Sequence, residues 1–264
     1  MGSLQCFIEA RKAAGVKIRT INHALKVVRR ILNLAAQEWV DEDNLSWLLA
    51  APKIKMLIET DSRESYPLSW EEQDKLFAYL PKHLQRMALF AVNTGCRDHV
   101  ICGLRWQWEF DLNGRSVFVV PKEHVKNRQD RLVVLNDAAQ QVIESVRGGN
   151  DEFVFTYHGK PIRRMNSTGW RNARKKAGLK HVRVHNLKHT FGRRLRSAGV
   201  SLEDRADLLG HKTGRMTTHY SAAEIDNLIR AANCVSDRTK SGVLLRAIPA
   251  IGHFRETGSP PARG

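Results

Sequence analysis

The chain has 264 residues, 42% of them hydrophobic, which excludes a disordered chain and supports either one large domain or a large domain with a small one. Lysine and arginine number 43 against 27 acidic residues, and the net charge of +16 favours a phosphate-rich partner over a merely solvated basic surface. No C-x-x-C pair and no long apolar run occurs, so the sequence indicates neither a zinc ribbon, nor a disulfide framework, nor a membrane-spanning helix.

The N-terminal part predicts a small helical unit. Apolar residues from Ile21 to Trp39 recur on one helical face, whereas Lys26, Arg29 and Arg30 fall largely off that stripe. Shorter helices are predicted over residues 4–14 and 45–49, the second ending before Pro52.

Residues 52–67 are polar and lack periodicity, which predicts a linker. Ser69 and Glu72 then form a Ser-x-x-Glu capping signature, which is typical of a helix start. Helices are predicted at about 70–80, 83–93 and 97–105, the last one directly after Thr94-Gly95-Cys96.

The period then changes from helical to alternating. Two β-rich runs, 116–120 and 131–135, are separated by the charged segment 122–130, which predicts two strands of a small sheet joined by a basic turn. Five further helices are predicted, at about 137–146, 166–177, 187–198, 202–209 and 222–232. From Arg238 onwards the periodicity is lost, as is typical of a loose tail.

Several residues suit chemistry on a phosphodiester, which needs cations around the non-bridging oxygens and a proton donor for the leaving oxygen. Arg97 follows the Thr94-Gly95-Cys96 turn at a predicted helix start, where free backbone N–H groups also favour an anion. A solvated arginine is its alternative role. Lys126 lies between the two predicted strands, with Lys122 as its competitor.

A second group of candidates follows within 36 residues of sequence. His185 and Lys188 are spaced i,i+3 at a helix start, which places them on one helical face, whereas the neighbouring His189 is predicted to be structural. His211 follows a Leu-Leu-Gly turn. Tyr220 precedes a predicted helix and is expected to be accessible to a substrate.

In order along the chain, these motifs resemble the catalytic domain of the tyrosine recombinases, also called phage integrases. The resemblance rests on Thr94-Gly95-Cys96-Arg97, Lys126, His185-x-x-Lys188, Leu209-Gly210-His211 and His219-Tyr220. It covers about residues 67–232 and implies a mainly α fold with a small antiparallel β-sheet (α+β). Residues 1–57 resemble part of that family's helical, DNA-clamping core-binding domain, with a linker at 58–66. Residues 233–264 would form a C-terminal segment that is either exchanged between subunits or disordered.

The resemblance implies a site-specific recombinase that integrates or excises a mobile element or prophage. Tyr220 would attack a DNA phosphate, leaving a 3′-phosphotyrosyl bond and a free 5′-hydroxyl that rejoins a partner strand. Arg97 and Lys188 would clamp the phosphate, and Lys126 would be the general acid. His185 and His211 would hydrogen-bond the phosphate or assist proton transfer. No metal or nucleotide cofactor is implied.

Two positions depart from the family's pattern. Lys188 stands where the family has arginine, and lysine cannot reproduce a bidentate guanidinium. Val100 stands where the family usually has an acidic residue that buttresses the site. Reduced activity, an inactive DNA-binding relic and a topoisomerase of the same chemistry therefore stay open as alternatives.

The implied partners are double-stranded DNA attachment sites, on which the chain would assemble as a homo-tetramer. Without DNA we expect a monomer or weak oligomer, and no membrane partner. The expected location is the cytoplasm of a bacterium, at the nucleoid.

Overall fold

A computed structural model describes residues 2–211 and 221–236, with side chains described from residue 4 onwards. The chain divides into two compact units, residues 1–64 and 65–264. Among the described residues, no helix is long and apolar enough to span a membrane.

The first unit contains helices α1 (Gly2–Ala13) and α2 (Ile18–Gln37). Its core is formed by Ile8 of α1, Ile21 and Leu25 of α2, and Ile54. The long amphipathic helix predicted from the apolar stripe is therefore confirmed.

The helix predicted over residues 45–49 is wrong. Asn44 adopts a left-handed backbone with φ 62°, and Val40 forms a β-bridge with Ser46. The side chain of Asp41 accepts hydrogen bonds from the backbone N–H groups of Asp43 and Leu45 at 3.0 and 2.9 Å. The chain therefore reverses direction here, because this local bonding replaces the helical ladder.

The second unit combines helices with a three-stranded sheet. Before the sheet in the chain lie α3 (Trp70–Ala78), α4 (Lys82–Thr94) and α5 (Asp98–Cys102), and α6 (Asp137–Val146) follows its last strand. After it follow α7 (Thr168–Lys176), α8 (His185–Ser197), α9 (Leu202–Leu209) and α10 (Ala222–Asn233). The predicted helices are confirmed, except that the one expected over 97–105 ends at Cys102.

That early end has a clear physical cause. After Gly103, the chain leaves the helix and pairs with a distant segment. The carbonyl of Leu104 accepts the N–H of Val154 at 3.0 Å, and the N–H of Trp106 donates to the carbonyl of Glu152 at 3.1 Å.

The sheet has the antiparallel order β1-β2-β3, with β1 (Glu109–Leu112), β2 (Arg115–Val120) and β3 (Arg131–Val134). The two predicted strands are confirmed as β2 and β3. The sequence did not indicate β1, which is short and mostly solvent-facing at the sheet edge, nor the hairpin of β4 (Thr156–Tyr157) and β5 (Lys160–Pro161). The mainly α fold with a small antiparallel sheet is confirmed.

The core centres on α4, which is buried along most of its length and packs against α6 and α8. Helix α10 packs against α9 and β3 through Leu228, Ile229 and Ala232. The carboxyl ends of α4 and α9 are thereby held near the start of β3, where most of the predicted site residues lie.

Candidate active site

A glycine turn places Arg97. Helix α4 is capped by Gly95, whose φ of 61° is left-handed, and a Cβ added there would lie 2.5 Å from Cδ1 of Phe191. Glycine is therefore required both for the backbone conformation and for space. Two residues later, the half-buried Arg97 forms the N-cap of α5, and its buried Nη1 has no hydrogen-bond partner among the described residues. Burial and the charge of Arg131 lower the pKa of Arg97.

Lys188 lies deep beside this turn. It is only 6% exposed, and its Nζ donates to the carbonyl of Gly95 at 3.1 Å and to the carbonyl of Leu209. Burial, followed by the charges of Arg131 and Arg97, lowers the pKa of Lys188 to about 7. The structure thus brings Lys188 to the site, with its ammonium bound to backbone carbonyls.

His185, the first residue of α8, is exposed, whereas Lys188 one turn later is buried. The rings of His185 and His189 meet edge to face with centroids 4.7 Å apart. Burial, followed by the charges of His189, Lys188 and Arg97, lowers the pKa of His185. His185 is therefore solvent-exposed and lies within the field of Lys188 and Arg97.

Arg131 is a member of the site that the sequence did not reveal. This first residue of β3 is 4% exposed, and its guanidinium donates to the carbonyls of Leu209 at 3.3 Å and of Gly95 and Leu208 at 3.4 Å. The one available signal was a charged residue opening an otherwise apolar strand. Arg97, Arg131 and Lys188 are hereafter called the cationic centre.

His211 is placed by a second glycine cap. Gly210 ends α9 with φ 58°, and the backbone N–H of His211 donates to the carbonyl of Ala206 at 2.9 Å. Burial and then the charges of Lys188, Arg97 and Arg131 lower the pKa of His211. The exposed imidazole thus lies within the field of the cationic centre.

Lys126 is exposed on the segment between β2 and β3. Burial, followed by the charges of Arg97, Arg131 and Lys126, lowers the pKa of His99. Lys126 and the two arginines of the cationic centre therefore act on the same histidine. Its competitor Lys122 is also exposed, and its backbone N–H donates to Asp130 at 2.8 Å. His99 is a second residue near the site that the sequence did not indicate.

No described carboxylate forms an ion pair with the cationic centre. Val100 is 2% exposed and belongs to the hydrophobic core. The adjacent Asp98 accepts hydrogen bonds from the N–H of Met165 at 2.9 Å and from Sγ of Cys102 at 3.4 Å. Among the described residues, the ion pairs join Arg105 to Glu152, Arg115 to Asp137, and Arg147 to Glu109 and Glu144. None involves the cationic centre, so its charge is available to an external anion.

The predicted nucleophile, Tyr220, and its neighbour His219 lie outside the described residues. The description resumes at Ser221, which caps α10. Its hydroxyl accepts the N–H of Glu224 at 3.2 Å, and the Glu224 carboxylate accepts the N–H of Ser221 at 2.6 Å. The helix that directly follows Tyr220 therefore has a fixed start.

The described residues contain no group of three or more His, Cys, Asp or Glu side chains that could hold a metal ion.

Comparison with known proteins gives a consistent picture. The model of the phage integrase family matches residues 68–226, more than half of the chain. The integrase of Salmonella phage P22 is 27% identical over 244 residues, covering 88% of this chain but only 59% of that protein. The tyrosine recombinase XerC of Bacillus licheniformis is 24% identical over 244 residues, covering 85% of this chain and 77% of that protein.

Solved structures share the fold. The Tn1549 transposon integrase, in complex with circular intermediate DNA, superposes with a TM-score of 0.63 at 18% identity, covering 80% of this chain and 77% of that chain. The XerH site-specific recombinase bound to difH substrate superposes with a TM-score of 0.62 at 14% identity, covering 87% of this chain and 66% of that chain. The matched family model, which covers more than half of the chain, establishes that the chain belongs to the phage integrase family.

Proposed function

We propose that the chain is a site-specific DNA recombinase that cleaves and rejoins DNA through a 3′-phosphotyrosyl bond, for integration or excision of a mobile element or prophage. The observation that carries this proposal is the cationic centre, which gathers three cations without a carboxylate partner among the described residues. A DNA phosphodiester would supply the negative charge and the hydrogen-bond acceptors that these three side chains do not receive from a described carboxylate.

Arg97 is the phosphate clamp in this proposal. Its buried Nη1 has no hydrogen-bond partner among the residues that the structure describes, and an unsatisfied buried donor is costly unless a ligand completes it. A non-bridging phosphate oxygen would accept that N–H. Exposed His185 and His211 would contribute further hydrogen bonds at the rim of the same charge cluster.

Tyr220 would supply the nucleophile. The phenol gives up its proton to water or to His211, its oxygen forms a bond to phosphorus, and the bond from phosphorus to the 5′ oxygen breaks. The leaving alkoxide needs a proton, which Lys126 would donate from its exposed position between β2 and β3. In the reverse step, a 5′-hydroxyl returns that proton and displaces the tyrosine, so the phosphodiester energy is conserved without a cofactor.

Lys188 has a special position in this scheme. Its pKa near 7 means that it is only partly protonated in the free protein at neutral pH. A bound phosphate brings a nearby negative charge, which favours the protonated form. We therefore expect Lys188 to be a cation mainly in the DNA complex, where its ammonium would donate to both the phosphate and the carbonyl of Gly95.

The N-terminal unit would hold the DNA as a core-binding domain. Exposed Lys26, Arg29 and Arg30 lie along one face of α2 together with the polar Asn33 and Gln37. Such a row suits the sugar–phosphate backbone. In this proposal residues 1–57 form the core-binding domain, 58–66 the linker, 67–232 the catalytic domain and 233–264 the C-terminal segment. The active assembly is a homo-tetramer on two duplexes at the bacterial nucleoid.

The proposal is tested by covalent trapping. Duplexes that the protein selects from a random-sequence pool are nicked a few nucleotides to the 3′ side of the cleavage position. Cleavage then releases the short fragment that carries the free 5′-hydroxyl, and rejoining is blocked. The wild-type protein should form an SDS-resistant adduct, and Tyr220→Phe should bind the duplex with similar affinity but form none. DNA binding without any adduct from the wild-type protein would refute the enzymatic proposal.

A further inference from the structure

The fold gives Arg131 a place that none of the roles above uses. We propose that Arg131 is a positioning residue of the strand-transfer site, which holds the carboxyl ends of α4 and α9 together and so sets Arg97 against His211. This inference rests on the proposed function, because its effect is measured on DNA cleavage.

The burial of Arg131 demands an explanation. An arginine is almost never fully buried unless it is paired, since removing its charge from water is costly. Arg131 is 4% exposed, yet no described carboxylate pairs with it, and its buried Nε has no partner among the described residues. What compensates the charge is a set of three backbone carbonyls.

Those carbonyls belong to the ends of two helices. Leu208 and Leu209 are the last residues of α9, and Gly95 caps α4. The last carbonyls of a helix have no partner within it and carry the negative end of the helix dipole. One guanidinium therefore joins two helix ends that are far apart in sequence, at 3.3 to 3.4 Å from each acceptor.

Each joined end leads directly to a predicted site residue. Arg97 follows Gly95 by two positions, and His211 follows Leu209 by two positions. Arg131 itself follows Lys126 by five positions on the same connection between strands. A shift of the guanidinium would therefore displace three catalytic candidates relative to one another.

Lys188 shares two of these acceptors, the carbonyls of Gly95 and Leu209. A planar guanidinium can bridge three acceptors in fixed directions, whereas an ammonium is a point charge on a flexible stem. Arg131 thus fixes the geometry, and Lys188 adds charge to the same pair of carbonyls. The two side chains should be energetically coupled because they compete for common oxygens.

Steric fit also holds the guanidinium in place. A Cβ added to Gly210 would lie 2.8 Å from Nη1 of Arg131. Gly210 thus leaves the space that the guanidinium occupies, in a backbone conformation that glycine adopts without strain.

The test compares single-turnover cleavage, DNA affinity and thermal stability for Arg131→Met and Arg131→Lys. Arg115→Met is the matched control, since Arg115 opens the neighbouring strand β2 but is partly exposed and paired with Asp137. Displacing catalytic groups by about 1 Å costs about 10²-fold in rate, so both Arg131 variants should cleave about 10²-fold more slowly. DNA affinity should stay within about threefold, because no contact to DNA is removed. Arg115→Met should cleave at the wild-type rate.

Two further readouts separate positioning from a purely structural role. Lys188→Arg should change the cleavage rate by a different factor in the Arg131→Lys background than in the wild type, because the two residues share acceptors. Burial is the largest cause of the lowered pKa of His211, and the charge of Arg131 adds to it after those of Lys188 and Arg97. Removing that charge in Arg131→Met should therefore move the pH–rate profile to higher pH. If Arg131→Met does not fold, the test uses Arg131→Lys and the double variant that combines it with Lys188→Arg.

The outcomes are distinct. If the wild-type protein cleaves DNA and both Arg131 variants cleave at the same rate, this inference is overturned and the proposed function stays intact. The same holds if the variants lose rate only in proportion to lost DNA affinity and the effects of Arg131→Lys and Lys188→Arg are additive. Absence of any wild-type adduct would overturn the proposed function, and this inference with it.

Discussion

Replacing Gly95 with alanine should destabilise the second unit and disturb its site. The new Cβ would lie 2.5 Å from Cδ1 of Phe191 and 3.0 Å from Cδ2 of Leu209, and Phe191 is fully buried. The left-handed φ costs about 1–2 kcal/mol for a residue with a Cβ, and overpacking a core costs about 1–3 kcal/mol more. We therefore expect a loss of about 2–5 kcal/mol in the free energy of unfolding.

The measurement is the thermal midpoint of the second unit by calorimetry. For a unit of about 200 residues, each kcal/mol lowers the midpoint by about 2–4 °C, so Gly95→Ala should lower it by about 4–20 °C. Gly178→Ala is the matched control, since φ at Gly178 is 73° but no atom lies within 4 Å of the added Cβ. Its thermal midpoint should fall by about 2–8 °C, since only the cost of the left-handed backbone applies there.

A functional effect should accompany the loss of stability. The carbonyl of Gly95 accepts hydrogen bonds from both Lys188 and Arg131, and Arg97 follows two residues later. Below its thermal midpoint, Gly95→Ala should therefore cleave DNA more slowly than Gly178→Ala at equal DNA occupancy. Equal midpoints for the two variants would refute the packing argument, and equal cleavage would refute the link between this turn and the site.

The remaining predictions concern other parts of the site. Lys126→Ala should slow cleavage by about 10²–10⁴-fold, whereas the control Lys122→Ala should cleave at the wild-type rate. A DNA substrate with sulfur in place of the 5′-bridging oxygen has a leaving group that needs no proton, so it should restore cleavage by Lys126→Ala. Failure of this rescue would argue against the acid role. Lys188 has its pKa lowered from 10.5 to about 7, so the folded state loses its proton first and the free energy of unfolding should rise with pH between those values. In urea unfolding, the stability of the wild type relative to Lys188→Met should rise by about 2–3 kcal/mol from pH 7 to 9, and a flat difference would contradict the burial argument. Ser221→Ala should destabilise α10 by about 1 kcal/mol and slow cleavage, because this helix starts directly after Tyr220. Ser69→Ala, which removes the same kind of capping box from α3, should leave cleavage unchanged.

Local signals in the sequence predicted much of the fold. The capping box of Ser69 and Glu72 starts α3 as expected, and the two apolar runs form β2 and β3. In contrast, residues 45–49 have helical apolar spacing but form no helix, because the Asp41 carboxylate accepts the backbone N–H groups of Asp43 and Leu45 in a turn. Strand β1 escaped prediction because its sequence Glu-Phe-Asp-Leu is half acidic and partly exposed at the sheet edge, so it lacks the β-rich apolar run that marks β2 and β3.

The site shows the same division between local and distant signals. Gly95 and Gly210 could be recognised as turns, and they place Arg97 and His211 as expected. The burial of Lys188 and the role of Arg131 could not be recognised from the sequence, because both depend on partners that are distant along the chain. Arg131 bonds to residues 36 and 77 positions away, and Lys188 bonds to one 93 positions away.

The central claim is that the cationic centre serves a tyrosine that becomes linked to DNA. The most direct measurement is peptide mapping of the trapped adduct by mass spectrometry, with the linked DNA end determined on the same peptide. We expect one linkage, from the oxygen of Tyr220 to a 3′-phosphate, and a free 5′-hydroxyl on the released strand. Linkage through another residue or to a 5′-phosphate would contradict it.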